Sequence, residues 1–133
     1  MEPTISALNT SPSDNAEIQT GSEILPTARR EGTSVIAAVR GEIDLHRSPE
    51  LRTQLLDILV KYDPRKLVLN LTQVPYMDSS AIAVMVECLQ KMRKSGGKIY
   101  LTNLQPRVKG LLEIARLDTI FIVTTDETEA LAK

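Results

Sequence analysis

Two residue types that carry much of enzyme chemistry are almost missing: the 133 residues include one cysteine, Cys88, and one histidine, His46. A single cysteine excludes an intrachain disulfide framework and a cysteine-rich zinc site. A single histidine leaves little material for a histidine-based metal site or a Ser-His-Asp triad. No apolar run approaches the roughly 18 residues that cross a bilayer, so no membrane insertion is expected. Neither charge sign dominates, with 16 Lys and Arg against 17 Asp and Glu and a formal charge of −1. A general nucleic-acid binder shows a basic excess, so no direct nucleic-acid contact is expected. No glycine-rich phosphate loop is present either, because Gly96-Gly97 and the isolated Gly110 match no nucleotide motif. No cofactor is expected.

What remains suits a globular protein, with 42% hydrophobic and 25% charged residues in a chain of single-domain length. The charge is divided unevenly. Residues 1–28 contain Glu2, Asp14, Glu17 and Glu23 and no Lys or Arg, whereas the rest of the chain is net basic. Residues 9–22 are mostly Ser, Thr, Asn and Asp and cannot bury enough apolar surface to offset their ordering entropy. The expected organisation is therefore a disordered acidic tail over 1–22 and one domain over 23–133. The start of the chain lacks the basic and apolar regions of a secretory signal. With an unpaired cysteine, that points to the cytoplasm.

Residues 24–30 and 34–40 read as two antiparallel strands around the turn Glu31-Gly32. Ser48 and Pro49 suit an N-cap and a first helical residue, and Leu51, Leu55, Ile58 and Leu59 then recur on one helical face. Residues 66–71 read as an inner strand. Asp78-Ser79-Ser80 opens a second helix that ends at Gly96-Gly97, with Ile82, Met85, Val86 and Leu89 on one apolar face. A strand over 98–102, a helix from Pro106, a strand over 119–123 and a short helix over 126–132 follow. Alternation after the first hairpin predicts an α/β fold: a mixed, mostly parallel sheet of about five strands with helices packed against it.

Sites in such folds lie beyond the carboxyl ends of strands, at helix N-termini. Two loops end there, Gly41 to Asp44 and Val74 to Ser80. Asp78, Ser79 and Ser80 have three readings. They cap a helix, because their oxygens accept free backbone N–H groups. Ser79 is a nucleophile only if a base stands beside it, and nothing in the sequence places His46 there. Phosphoserine is the third reading, since a helix N-terminus stabilises an anion, and it is compatible with capping. Asp44 is a turn or capping carboxylate. His46 reads as a solvated loop residue and Cys88 as a small core residue.

The motifs Gly41-Glu42-Ile43-Asp44, Leu67-Val68-Leu69-Asn70-Leu71 and Met77-Asp78-Ser79-Ser80-Ala81-Ile82 occur in that order. With them the chain resembles STAS domains, and most of all bacterial anti-sigma factor antagonists of the sporulation and stress-response type. The resemblance runs from about residue 24 to 130. It implies a binding module rather than an enzyme. In its unphosphorylated state such a module binds an anti-sigma factor that is also a serine kinase, and so regulates sigma-dependent transcription. The kinase phosphorylates the first serine after the Asp, here Ser79, and a serine phosphatase resets the switch. Asp44, Asp78, Ser79, Ser80 and Ala81 would then form the partner surface. The family pattern usually has Gly after the second serine, and Ala81 stands there. An alternative within the same fold is a STAS module of a stressosome scaffold or of a lipid-transport complex.

Overall fold

A computed structural model describes residues 16–133. Among these residues six strands form one sheet: β1 (Glu17–Ile18), β2 (Thr27–Glu31), β3 (Ser34–Arg40), β4 (Lys66–Gln73), β5 (Lys98–Thr102) and β6 (Ile122–Thr124). Among the described residues four α-helices accompany them: α1 (Ser48–Tyr62), α2 (Ser79–Lys94), α3 (Pro106–Ile114) and α4 (Glu127–Ala132). The strands lie side by side in chain order. β2 runs antiparallel to both of its neighbours, β1 and β3, and β3 to β6 are parallel.

Strand order that never reverses has a direct consequence. Each parallel crossover moves in the same direction across the sheet, and crossovers share one hand, so α1, α2 and α3 all fall on one face. Val35, Ala37, Leu67, Leu69, Ile99 and Leu101 point to that face and join Leu51, Leu55, Met85, Cys88 and Leu112 in the main core. The alternate residues Ile36, Val68 and Tyr100 are in register across the sheet and bury against Ala130 of α4 on the other face. Strands covered on both sides need apolar residues at consecutive positions, which is why β3, β4 and β5 read as apolar runs rather than alternations. Burying one such leucine fully is worth about 1.5–3 kcal/mol.

Three expectations change. Glu17 and Ile18, assigned to the tail, pair with Arg29 and Ala28 as β1, and Ile18 is buried. One apolar residue in a polar stretch suffices because the sheet edge supplies the rest of its pocket. Residues 1–15 of the expected tail lie outside the described residues. Ile24 and Leu25, read as strand, are fully buried loop residues, and β2 begins only after Pro26. The run Thr119 to Phe121 is a turn rather than strand. The Leu117 carbonyl accepts the Ile120 and Phe121 amides, each at 3.1 Å, which leaves only Ile122–Thr124 to pair with β5.

Candidate functional site: two loops joined at the carboxyl edge

β3 and β4 end side by side, and their loops stay paired beyond the sheet. The Gly41 amide donates to the Gln73 carbonyl at 2.8 Å. Gly41 turns the chain at φ +97, a left-handed value that glycine adopts without a Cβ clash. Pairing resumes with a parallel bridge between Ile43 and Met77. The Ile43 amide donates to the Tyr76 carbonyl and the Asp78 amide to the Ile43 carbonyl, both at 3.0 Å. Ile43 and Met77 bury their side chains and anchor both loops in the core. Each is followed by an aspartate, so Asp44 and Asp78 come to adjacent positions at the edge.

Each aspartate organises the helix that follows. The Asp44 carboxylate accepts the amides of His46 at 2.9 Å and Arg47 at 3.1 Å, and its carbonyl accepts the Ser48 amide at 2.8 Å. The start of α1 is thus tied by Asp44. Ser48, expected as the N-cap, is instead the first helical residue, and its backbone amide is the one bound. Asp78 is the N-cap of α2 and accepts from the Ser80 amide at 2.9 Å and from the Ser80 hydroxyl. Its second oxygen reaches the other loop and accepts the Leu45 amide at 3.1 Å. One carboxylate therefore fixes a helix start and clamps two loops. These hydrogen bonds, the Ser80 hydroxyl first and then the amides of Ser80, Ala81 and Leu45, hold Asp78 below the usual carboxylate range.

The two serines have opposite environments. Ser80 is half-buried and its hydroxyl is engaged by Asp78. Ser79 is exposed, and its hydroxyl takes no hydrogen bond among the described residues. The sequence grouped Asp44, Asp78, Ser79, Ser80 and Ala81, and the structure brings the first four to one surface. Ala81 departs from that group. Its methyl is fully buried in the main core, one position past the exposed turn, so it faces inward rather than toward a partner. The His46 backbone amide is bound by Asp44, and its ring makes no hydrogen bond to Ser79 among the described residues.

Other residues at this edge escaped the sequence reading. Leu45 is 75% exposed beside the start of α2, with its backbone held by Asp78. Ala83 is exposed one turn below Ser79, and Ile82 and Val86 are half-buried, where the helical periodicity had placed the latter two in the core. Together they give the outer face of α2 an apolar stripe that begins at Ser79. The β5–α3 loop flanks the site on its other side. The Gln105 side-chain amide donates to the Thr72 carbonyl at 2.6 Å, and the Arg107 guanidinium sits 4.9 Å from the centre of the Tyr76 ring. An isolated Leu between Asp44 and His46 is the one signal that could have marked this surface in advance.

Comparison with known proteins places this arrangement in a family. Residues 25–132 match the model of the STAS domain. An anti-sigma-B factor antagonist of Listeria monocytogenes is 31% identical over 91 residues, which cover 68% of this chain and 79% of that protein. An anti-sigma factor antagonist from Mycobacterium paratuberculosis superposes with a TM-score of 0.72 at 19% identity, covering 92% of this chain and 95% of that one. The phosphorylated form of the Bacillus cell-fate determinant SpoIIAA superposes with a TM-score of 0.58 at 20% identity, covering 75% of this chain and 89% of that one. At these identities the two structural likenesses show the fold.

Proposed function

The chain belongs to the STAS-domain family, and we propose that it is an anti-sigma factor antagonist switched by phosphorylation at Ser79. In the unphosphorylated state it binds an anti-sigma factor through the surface formed by Asp44, Leu45, Ser79, Ala83 and the exposed edges of Ile82 and Val86. That partner is also a serine kinase. It transfers the γ-phosphoryl group of ATP to Ser79 Oγ, with loss of the hydroxyl proton and release of ADP. A serine phosphatase hydrolyses the phosphoester and restores binding. The switch then regulates how much sigma factor is free for transcription, and it operates in the cytoplasm.

The observation that carries this reading is the contrast between Ser79 and Ser80. A kinase needs a hydroxyl that is exposed and free to be deprotonated as it attacks phosphorus. Ser79 offers one on a rigid helix start, whereas the Ser80 hydroxyl already donates to Asp78. The names of the relatives support the same role, since one is an anti-sigma-B factor antagonist and another is known in a phosphorylated form. Asp44 and Asp78 position the loops and leave Leu45 as the apolar anchor, in keeping with interfaces in which a few buried apolar groups carry most of the affinity.

The test is phosphorylation by the cognate anti-sigma kinase with ATP, followed by mass spectrometry that localises the phosphate. Phosphate is expected on Ser79 in the unaltered protein and in Ser80→Ala, and none in Ser79→Ala, which should stay bound in the presence of ATP. Phosphate on Ser80 with Ser79 unmodified would overturn the assignment.

A further inference from the structure

Between residues 91 and 98 the chain carries Lys91, Arg93, Lys94 and Lys98 and no acidic residue. The dipole of α2 favours cations in its last turn, which accounts for the first three. It does not account for Lys98, which opens β5. Arg65, just before β4, joins the same cluster. The Lys98 amide donates to the Arg65 carbonyl at 3.0 Å, and the Arg65 guanidinium donates to the Ser95 carbonyl at 3.1 Å, beside Gly96. Cations from the end of α2 and from the amino ends of two strands thus meet at the sheet edge opposite the switch loops. Arg65, Arg93, Lys94 and Lys98 are exposed and in no ion pair among the described residues.

An open groove of about 320 Å³ lies at this edge between α2, β5 and β6. Leu89, Ile99, Ile120 and Ile122 give it apolar walls, and Arg93 and Lys98 are the charged side chains that line it. Asp63 and Asp118, on the adjoining turns, do not line it. Leu89 and Ile99 are buried, and Ile120 and Ile122 half-buried, so the apolar surface is recessed while the cations stand in solvent.

We propose that this groove docks an acidic segment of a partner protein. One large apolar side chain of the segment enters the groove, carboxylates beside it meet Arg93 and Lys98, and further acids meet Arg65 and Lys94. Charge complementarity sets the sign of the partner, and the recess sets its kind. A protein side chain reaches into a pocket, whereas a lipid surface is met by apolar side chains that protrude. A nucleic-acid strand stacks its bases on aromatic rings, but Tyr100 and Phe121 are buried and no aromatic residue lines the groove. Exposed ion pairs each add little affinity, so the apolar side chain supplies most of it and the cations steer the encounter. Arg93 lies about 21 Å along α2 from Ser79. A docked segment therefore leaves the switch surface open, and the chain can hold two partners at once.

The test is titration of the ¹⁵N-labelled full chain with an end-blocked acidic peptide, Glu-Asp-Leu-Asp-Glu. The Gly96, Gly97 and Ile122 amide signals should shift and saturate, while those of Asp44 and Ser79 stay in place. Replacing the central leucine of the peptide by serine should weaken binding about tenfold, the loss of one buried aliphatic group. Arg93→Glu with Lys98→Glu should weaken it at least tenfold. Arg40→Glu with Lys109→Glu makes the same change of charge outside the groove and should weaken it less than twofold. All four positions are exposed, so amide dispersion should show both variants folded. Shifts that do not saturate, equal affinity for the two peptides, or equal losses in the two variants would overturn the proposal. Tighter binding of phosphatidylglycerol vesicles or of an oligothymidylate through Arg93 and Lys98 would also overturn it, and would reassign the edge to a membrane or a nucleic acid.

Discussion

Asp78 shows how one side chain sets both order and selectivity. Its carboxylate accepts from the Ser80 amide and hydroxyl and from the Leu45 amide. Asp78→Ala removes a helix cap and should lower stability by about 1 kcal/mol, read as the denaturation midpoint. It also frees the Ser80 hydroxyl, so phosphate should appear on Ser80 as well as Ser79 when the variant meets the kinase. Phosphorylation still confined to Ser79 would show that the kinase, not Asp78, chooses the serine. Acid should act on the same contacts. The Asp78 pKa in the folded state lies below its ordinary value of 3.8. The group therefore stabilises the fold above the unfolded pKa, and that contribution is lost as pH falls from about 3.8 through the folded value. The Leu45 and Ser80 amide shifts should titrate together in that range, and separate midpoints would break the clamp into independent contacts. The roles of Asp78 and Asp44 were legible because Asp before a helical pattern is a capping signal. The burial of Ala81 was not. A motif marks neighbours in sequence, but successive helical residues point about 100° apart, and one step past Ser80 already faces the core.

At the scale of elements, burial decided what periodicity left open. The face of α2 read from sequence was Ile82, Met85, Val86 and Leu89; Met85 and Leu89 are buried as expected, whereas Ile82 and Val86 are only half-buried and Ala81, Cys88 and Met92 lie deeper. An apolar helix offers several equivalent stripes, and only the position of the sheet and of α1 chooses among them. The exposed bidentate pair between Arg52 and Glu87, with both contacts at 2.7 Å, links α1 to α2 and is compatible with that rotation. Strand β1 was illegible for a related reason, since two residues carry no period. Its weight can be measured by truncation. Removing residues 1–15 leaves Ile18 in place, and the melting temperature should stay within about 4 °C. Removing residues 1–22 exposes the pocket that Ile18 fills and the backbone of β2. The cost of one buried aliphatic side chain, about 1.5–3 kcal/mol, should lower the melting temperature by roughly 6–12 °C. Equal melting temperatures for the two truncations would mean that β1 adds nothing to the fold.

For the whole molecule, the order of strands explains why a charge can switch binding without unfolding the domain. Both loops grow from central strands β3 and β4, whose side chains are buried on both faces, so the site rests on the stiffest part of the sheet. A phosphate on Ser79 brings about −1.5 to −2 charges at neutral pH. It meets the N-terminus of the 16-residue helix α2, which favours an anion by about 0.3–1 kcal/mol at an exposed site. The Asp78 carboxylate next to it opposes that gain. With the two effects offsetting, the phosphorylated domain should melt within about 4 °C of the unmodified one. A partner that covers Ser79 must instead strip water from a dianion and leave it unpaired against Leu45 and Ala83, at a cost of several kcal/mol. A loss of about 4 kcal/mol corresponds to roughly a thousandfold in affinity for the anti-sigma factor. Ser79→Asp should reproduce part of that loss and remain folded. Calorimetry of the two forms, with titration against the partner, checks both halves together. A phosphorylated domain that melts far lower would make the switch a local unfolding, and one that keeps full affinity would place Ser79 outside the interface.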